Sequence, residues 1–298
     1  MTVKYWVGGT SDNMSTAANF SPAAVLEAGD ALILRGSPTY SPATNVQQDI
    51  DLAGVYVWDD YAGGLAAVGT PFKFGAAEVI IASEQNAPIY MMGYSDGKRL
   101  DVIRVNNTSN TGAVYLSGAF LGAGYFNKGR IDIATASSVL TSLTIGYIYN
   151  PQGDVVLTIN DSTGSATTIT GTVECYGGSV DNFAAIDTLN HMNGTWRHGD
   201  GDMSPCGYLK NLNERGGILK WNAGTLGHTG AAAGVVNLYS GVIDASGGPG
   251  ARTIDNCTVS GGSLNLDNHI NNITLTNAIT VNAGVPITVS PGTVISLV

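Results

Sequence analysis

The most charged short stretch of the chain is His198-Gly199-Asp200-Gly201-Asp202. Closely spaced aspartates on a glycine turn can bind Ca²⁺ through carboxylate and carbonyl oxygens, so Asp200 and Asp202 are the candidate ligands of a cation. The stretch lacks the other ligands of an EF-hand loop and the repeat of a calcium-binding nonapeptide roll. An exposed acidic turn is therefore the favoured interpretation, and neither a metal nor another cofactor is predicted.

Catalytic chemistry has little support in the spacing of acids and nucleophiles. Glycoside hydrolysis needs two carboxylates that face each other across the sugar. No spacing singles out a pair among the acids that could face outward from predicted strands, which are Asp132, Asp154, Glu174 and Asp244. Lys220 and Arg215 qualify for lyase chemistry only by their proximity to Glu214. The histidines lie beside no nucleophile motif, and no phosphate-binding fingerprint occurs, so no enzymatic activity is predicted.

Composition favours β-structure and disfavours nucleic acid and membrane as partners. The 298 residues include 40 glycines, only 12% are charged, and the apolar fraction of 44% is sufficient for a core. The net charge of −10 comes without a cluster of lysine and arginine, so no nucleic-acid groove is expected. Neither an N-terminal signal segment nor a membrane-spanning apolar run is apparent, and three cysteines fit no metal motif. Assembly in a reducing cytosol fits these observations.

Short apolar runs punctuated by glycine and asparagine recur along the chain, most regularly from residue 129 onward. In the last part of the chain one apolar set is followed by a similar set about 15–16 residues later. The first set is Ile254, Cys257, Val259, Leu264 and Leu266, and the second is Ile270, Ile273, Leu275, Ile279 and Val281. Such a repeat predicts a coil of strands whose corner glycines let successive rungs approach and whose corner asparagines form amide ladders.

The predicted fold is all-β, a single-stranded parallel β-helix (β-solenoid) with an irregular N-terminal cap segment. A β-sandwich is the main alternative, and the only stretch with helical periodicity is 182–190. Strand alternation places Trp196 and Trp221 in the core, and the position of Cys257 in the repeat indicates a buried thiol. Residues 1–128 are predicted to form the cap and an irregular attachment region, and residues 129–298 the regular solenoid.

The opening stretch carries a motif of its own. Trp-Val-Gly-Gly-Thr at residues 6–10 leads to Ala-Gly-Asp at residues 28–30, directly before the apolar run 31–34. This arrangement resembles the start of β-solenoid proteins of phage virions and bacterial surfaces. The resemblance implies that Trp6 caps the end of the coil and that the Gly-Asp pair turns into the first rung. The alternative is that Trp6 simply lies in a first strand.

Aromatic residues are frequent in the first third, where the loops between predicted strands are longest. Longer excursions from a coil usually lie on one face and carry contacts with partners. The predicted interaction residues are Trp6, Tyr56, Trp58, Tyr61 and Tyr94.

The resemblance implies a bacteriophage virion protein, assembled in the host cytoplasm. Such β-helical subunits resemble decoration proteins and spikes, which commonly form homotrimers. We expect a capsid decoration (cement) protein whose partner is the major capsid protein, because the chain is short and carries no catalytic cleft signature. The alternative is a tailspike or fibre protein that recognises host surface glycan. A bacterial surface adhesin is a third possibility, which the missing signal segment disfavours.

Overall fold

A computed structural model of the chain is nearly all-β, and it confirms the predicted parallel β-solenoid. It describes residues 1–67, 69–83, 87–93, 100–106, 113–118, 120–133, 139–146, 155–159, 168–199, 206–227, 232–247, 252–266 and 273–289. Among the pairings within the described ranges, β-strands run parallel everywhere except at the first rung, which excludes a β-sandwich. No helix in these ranges is both long enough and apolar enough to cross a membrane.

The chain divides into two compact units, Met1–Leu140 and Thr141–Val298. The strands of unit 1 are β1 Val3–Trp6, β2 Phe20–Ser21, β3 Ala31–Leu34, β4 Gln47–Leu52, β5 Gly54–Val57, β6 Phe72–Ala76, β7 Val79–Ile81, β8 Ile89–Gly93, β9 Leu100–Asn106, β10 Ala113–Gly118 and β11 Phe120–Ile133. Strand β12, Val139–Ile145, contains the boundary. The boundary predicted after residue 128 instead falls inside β11.

Unit 2 consists of shorter strands. They are β13 Val155–Ile159, β14 Thr168–Cys175, β15 Ser179–Asn182, β16 Ala185–His191, β17 Thr195–His198, β18 Tyr208–Glu214, β19 Ile218–Trp221, β20 Gly224–Leu226, β21 Val235–Leu238, β22 Val242–Asp244, β23 Arg252–Ile254, β24 Cys257–Val259, β25 Ser263–Leu266, β26 Ile273–Leu275, β27 Thr280–Val281 and β28 Ile287–Val289. Residues 182–190, which have helical periodicity in the sequence, end one strand and form most of another.

One stack of strands in unit 1 keeps its register from rung to rung. Strands β1, β3, β5, β7 and β9 stack in parallel, with Leu34 beside Val57, Val57 beside Ile81 and Ile81 beside Val105. These side chains are buried. The predicted irregularity of residues 1–128 is therefore wrong for this stack of strands, whose inward-facing residues stay aligned. It holds elsewhere in unit 1, because β4 with β6 and β9 with β11 each show a shift in register.

The segment between β1 and β3 folds back onto the first rung. Strand β2 pairs antiparallel with β1, and the ring of Phe20 meets the indole of Trp6 edge-on at 5.2 Å. The side chain of the buried Asn19 fixes this loop, since Oδ1 accepts the N–H of Thr10 at 3.0 Å and Nδ2 donates to the carbonyl of Asn13 at 2.9 Å. Trp6 thus lies in the first strand and is covered by the returning segment.

Unit 2 repeats with a longer period than the sequence indicated. Strands β22, β23 and β24 pair with β25, β26 and β27, and β25 pairs with β28. The partners in the last coil are Ile254 with Leu275, Val259 with Val281 and Leu264 with Ile287, which lie 21, 22 and 23 residues apart. The predicted offset of 15–16 residues is wrong here, because inward residues on different strands of one coil are alike and give false matches. A 16-residue step occurs in an earlier coil, where Asn182 contacts His198.

A column of glycines with positive φ directly precedes β15, β17, β19, β22 and β25 in unit 2. Its members are Gly178, Gly194, Gly217, Gly241 and Gly262. A Cβ on Gly217 would lie 2.5 Å from the carbonyl oxygen of Gly194, the atom that accepts the N–H of Ile218 at 2.9 Å. The glycines therefore permit both the left-handed turn and the close approach of the rungs, as the sequence predicted.

Candidate binding face

Outward side chains of β1, β3, β5, β7 and β9 form an aromatic face on unit 1. One column consists of Tyr5, Ile33, Tyr56, Ile80 and Arg104, which are register partners on successive rungs. A second group lies two residues further along the chain, at or just beyond the strand ends, and consists of Val7, Arg35, Trp58, Ala82 and Asn106. Val7 and Arg35 line one depression of this surface, and the other three line a second. We call these ten residues the aromatic face. Their neighbours in the strands point inward because side chains alternate along a strand.

The first rung inverts the usual alternation of apolar-in and polar-out. Val3, Tyr5 and Val7 are 37%, 36% and 42% exposed, whereas Lys4 is buried. These three residues form an apolar strip at the first rung of the aromatic face. Exposed apolar side chains that adjoin one another commonly mark a site of interaction.

Trp58 lies in the middle of the aromatic face and is 44% exposed. The guanidinium of Arg35 lies 5.3 Å from the centre of the indole and is paired with Asp60 at 3.6 Å. Arg104 makes a similar contact with the ring of Tyr125 at 4.5 Å. Stacked arginines of this kind hold aromatic side chains in place at the surface.

Two depressions lie on this side of unit 1. The first, of about 470 Å³, is lined by Tyr56, Val57, Trp58, Asp59, Ile80, Ala82 and Asn106. The second, of about 380 Å³, is lined by Tyr5, Trp6, Val7, Ser21, Arg35, Ser37 and Pro38. Both combine apolar walls with a few polar groups, as small-molecule sites do.

Two of the predicted interaction residues face outward and two do not. Tyr56 and Trp58 belong to the aromatic face. Trp6 and Tyr61 are buried, which corrects their assignment as surface contacts. The indole N–H of Trp6 donates to the carbonyl of Tyr40 at 2.8 Å, and the hydroxyl of Tyr61 donates to the carbonyl of Gly64 at 2.7 Å, so each polar group is satisfied inside the fold. Tyr94 lies outside the described residues.

The candidate cation ligands Asp200 and Asp202 also lie outside the described residues. Within the part of the chain that the structure describes, no three His, Cys, Asp or Glu side chains are grouped so as to hold a metal ion. Asp154, one of the acids considered for glycoside hydrolysis, falls outside these ranges as well.

Two other acids considered for catalysis are engaged in polar ladders on the outside of unit 2. Glu174 accepts the Nδ2–H of Asn190 at 2.7 Å, Asn190 accepts that of Asn213 at 2.8 Å, and Asn213 accepts that of Asn237 at 3.0 Å. We call these four residues the amide ladder. It lies within strands, on their outward side. Asparagines at corners also pair between rungs, as the sequence predicted, because Asn277 donates to Asn256 at 3.2 Å and Asn45 donates to Asn13 at 2.9 Å. Asp244 similarly accepts a hydrogen bond from Asn265 at 3.0 Å.

Sequence reasoning missed a polar stack inside unit 2. Cys175, His191 and Glu214 occupy equivalent positions on successive rungs and are fully buried. Nδ1 of His191 lies 2.7 Å from Oε2 of Glu214. Burial alone would lower the pKa of His191, but hydrogen bonds to Cys175 and Glu214 and the charge of Glu214 raise it to about 9. Burial also raises the pKa of Glu214, against the opposing effect of His191, and we assign the proton that the pair shares to His191.

His198 occupies a contrasting site in the same unit. Its Nδ1 accepts the amide N–H of Asn182 at 3.0 Å, and Sγ of Cys206 lies 3.5 Å from its Nε2. Desolvation by complete burial lowers the pKa of His198 to about 4, and a hydrogen bond with the backbone of Gly207 opposes this effect only in part. This imidazole is neutral, and its contacts fix a corner of the coil. With the correct rung spacing of 16 and 23 residues, both histidine sites could have been found in the sequence.

Three expectations about the core of unit 2 are confirmed. Trp196, Trp221 and Cys257 are buried, and burial raises the pKa of Cys257 to about 12. Arg252 is also buried, and its Nη1 donates to the carbonyls of Trp221 at 3.1 Å and Ala245 at 2.6 Å. The buried guanidinium of Arg252 is thus committed to the structure of unit 2.

No protein-family model, curated protein sequence or solved structure matches this chain. The fold and the aromatic face are therefore the features of the molecule that bear on its function.

Proposed function

We propose that this chain is a non-enzymatic virion structural protein, of the capsid decoration type, that attaches to the major capsid protein. The observation that carries the proposal is the apolar strip of Val3, Tyr5 and Val7, which lies exposed on the first rung. A parallel solenoid with strict register suits a part that must stand rigidly on a particle. Among the described acids and histidines of unit 2, Glu174 and Asp244 are held in ladders, and His191, His198 and Glu214 are buried.

A strip of three side chains is too small to support tight binding by itself. We propose that the protein is a homotrimer, which would present three strips to a symmetric shell and gain avidity from simultaneous engagement. Sedimentation velocity tests this directly, since a trimer has three times the 30.7 kDa mass of the chain. A monomer at micromolar concentration would contradict this part of the proposal.

The test of attachment is co-sedimentation of the purified protein with empty shells of the major capsid protein. We expect saturable binding and a higher melting temperature of the shells. The triple variant Val3→Ser, Tyr5→Ser, Val7→Ser should lose most of the binding. The matched control is Val235→Ser, Tyr239→Ser, because both residues are 45% exposed on unit 2. Equal binding by both variants would refute attachment through the strip.

A receptor-binding spike that recognises host glycan is the second candidate. The depression beside Trp58 favours it, because an exposed indole flanked by polar side chains is a common platform for a sugar. Tight binding to host polysaccharide together with no binding to shells would select the spike.

A further inference from the structure

We propose that Trp58, Ala82 and Asn106 form a slot that binds one neutral pyranose ring. The three residues follow Val57, Ile81 and Val105, which are register partners on successive rungs. The small side chain of Ala82 therefore separates two larger ones on the rungs at either side. Two strand spacings leave a gap of roughly 10 Å between those rungs, with Ala82 as its floor. The gap belongs to the depression of about 470 Å³.

Contacts within the chain orient the Trp58 wall of the slot. The backbone N–H of Trp58 donates to the carbonyl of Leu34 at 3.0 Å, and its carbonyl accepts the N–H of Tyr61 at 3.0 Å. Arg35 stacks on the indole and is itself paired with Asp60. A fixed aromatic wall loses little side-chain entropy on binding, and its face suits the C–H face of a pyranose.

The polar groups at the slot decide the class of ligand. Asp59 lines it with a carboxylate, which only accepts hydrogen bonds when ionised, and Asn106 lines it with an amide, which donates and accepts. Sugar hydroxyls can satisfy both side chains because they also donate and accept. A proline-rich peptide offers carbonyl acceptors and few N–H donors, so it would bring no donor to Asp59. The charge of Asp59 also disfavours acidic sugars.

This inference deepens the second candidate function and does not depend on shell attachment, since slot and strip consist of different residues. The probes are the methyl glycosides of glucose, galactose, mannose, rhamnose and N-acetylglucosamine, with methyl glucuronide as the acidic counterpart of methyl glucoside. Binding is measured by saturation-transfer NMR and by titration of tryptophan fluorescence. We expect at least one neutral glycoside to bind with millimolar affinity and the glucuronide to bind at least tenfold more weakly.

Two variants test the location of the site. Ala82→Leu should fill the slot, and Trp58→Ala should remove its wall, so each should lower the affinity at least tenfold. Trp58→Phe should retain part of the binding, which guards against a general loss of structure in Trp58→Ala. The control is Tyr239→Ala, because Arg215 stacks on Tyr239 at 4.8 Å in the same manner. We expect no change in affinity from this control.

The proposal is overturned if no neutral glycoside binds at millimolar concentration, if Ala82→Leu binds as well as the unaltered protein, or if decaproline displaces the bound glycoside more effectively than free sugar. Shell co-sedimentation of Ala82→Leu keeps the two proposals separate. We expect this variant to bind shells normally, so a failure of sugar binding and a failure of attachment are distinguishable.

Discussion

The two units have the same parallel rungs but place their aromatic and polar side chains differently. Unit 1 buries Trp6, Phe72 and Phe74 but also places Tyr5, Tyr56 and Trp58 on its surface. In unit 2, Trp196 and Trp221 fill the core, and the outside carries the amide ladder. The same solenoid backbone can thus present aromatic residues either inside or outside, and the positions of these residues in the alternating strand pattern determine which. We interpret unit 1 as the binding part and unit 2 as the part built for rigidity.

The largest expected effect compares two tryptophans, one from each unit. Trp196→Ala should lower the free energy of unfolding by about 4 kcal/mol, because it opens a cavity in a packed core. Trp58→Ala should lower it by less than about 1 kcal/mol, since the indole is 44% exposed. Chemical denaturation of both variants measures the difference. Similar losses would mean that Trp58 is structural and would weaken the interpretation of unit 1.

Glu214→Gln tests the buried stack of unit 2. It should cost about 3 kcal/mol, because His191 is left buried without its charged partner. The double variant His191→Leu, Glu214→Leu should be less destabilised than Glu214→Gln, since it removes both charges. Chemical denaturation curves of the single and double variants give the two free energies of unfolding to be compared. A double variant that is less stable than the single one would contradict the ion-pair account.

Gly217→Ala tests the glycine column against a glycine of unit 1. Both Gly217 and Gly29 have positive φ, at 82° and 80°, but only Gly217 has backbone atoms close to the position that a Cβ would occupy. Gly29→Ala should cost about 1 kcal/mol for the backbone conformation, and Gly217→Ala about 2–3 kcal/mol, because crowding adds to it. Equal losses in thermal unfolding would show that the rungs can separate without penalty.

The two buried histidines of unit 2 should give opposite pH dependences. The pKa of His191 is raised to about 9 in the folded state, so its contribution is complete below about pH 6.5 and is lost as the pH rises through 9. The pKa of His198 is lowered to about 4, so its contribution is present above about pH 6.5 and is lost as the pH falls through 4. The free energy of unfolding is measured from pH 4 to 9. Its dependence on pH should become weaker on the acid side in His198→Asn and on the alkaline side in His191→Gln. Unchanged profiles would contradict these assignments.

The smallest expected effect concerns the amide ladder. Asn213→Ala removes the hydrogen bonds to Asn190 and Asn237 and should lower the stability by about 1 kcal/mol. Asn106→Ala, on the aromatic face, should leave the stability unchanged within about 0.5 kcal/mol. Thermal melts of the two variants provide the comparison, and an equal effect would mean that the ladder is not a stabilising feature.

The sequence was sufficient to predict the fold class and much of the core of unit 2. Strand alternation placed Trp196, Trp221 and Cys257 correctly. Alternation could not predict which side of the first strand is buried. Apolar residues lie on both sides of Val-Lys-Tyr-Trp-Val, and the buried side contains the charged Lys4 as well as Trp6. The burial of Tyr61 could not be predicted either. It follows two aspartates in a loop, a context typical of exposed residues, yet its ring is buried and its hydroxyl bonds to the carbonyl of Gly64.

The rung period could not be predicted from the sequence, for a different physical reason. All strands of a coil present similar inward residues, while the loops that set the period vary freely in length. Without the period, Cys175, His191 and Glu214 appeared unrelated in the sequence. The slot at Ala82 was also hidden, because it depends on which three residues of distant strands become neighbours.

Hydroxyl-radical footprinting of the protein on assembled shells tests the central claim most directly. Tyr5 and Tyr239 are both reactive and similarly exposed in the free chain, at 36% and 45%, and they lie in different units. We expect shell binding to protect Tyr5 from oxidation while Tyr239 remains as reactive as in the free protein. Protection of Tyr239 with continued oxidation of Tyr5 would contradict the assignment of unit 1 as the binding part.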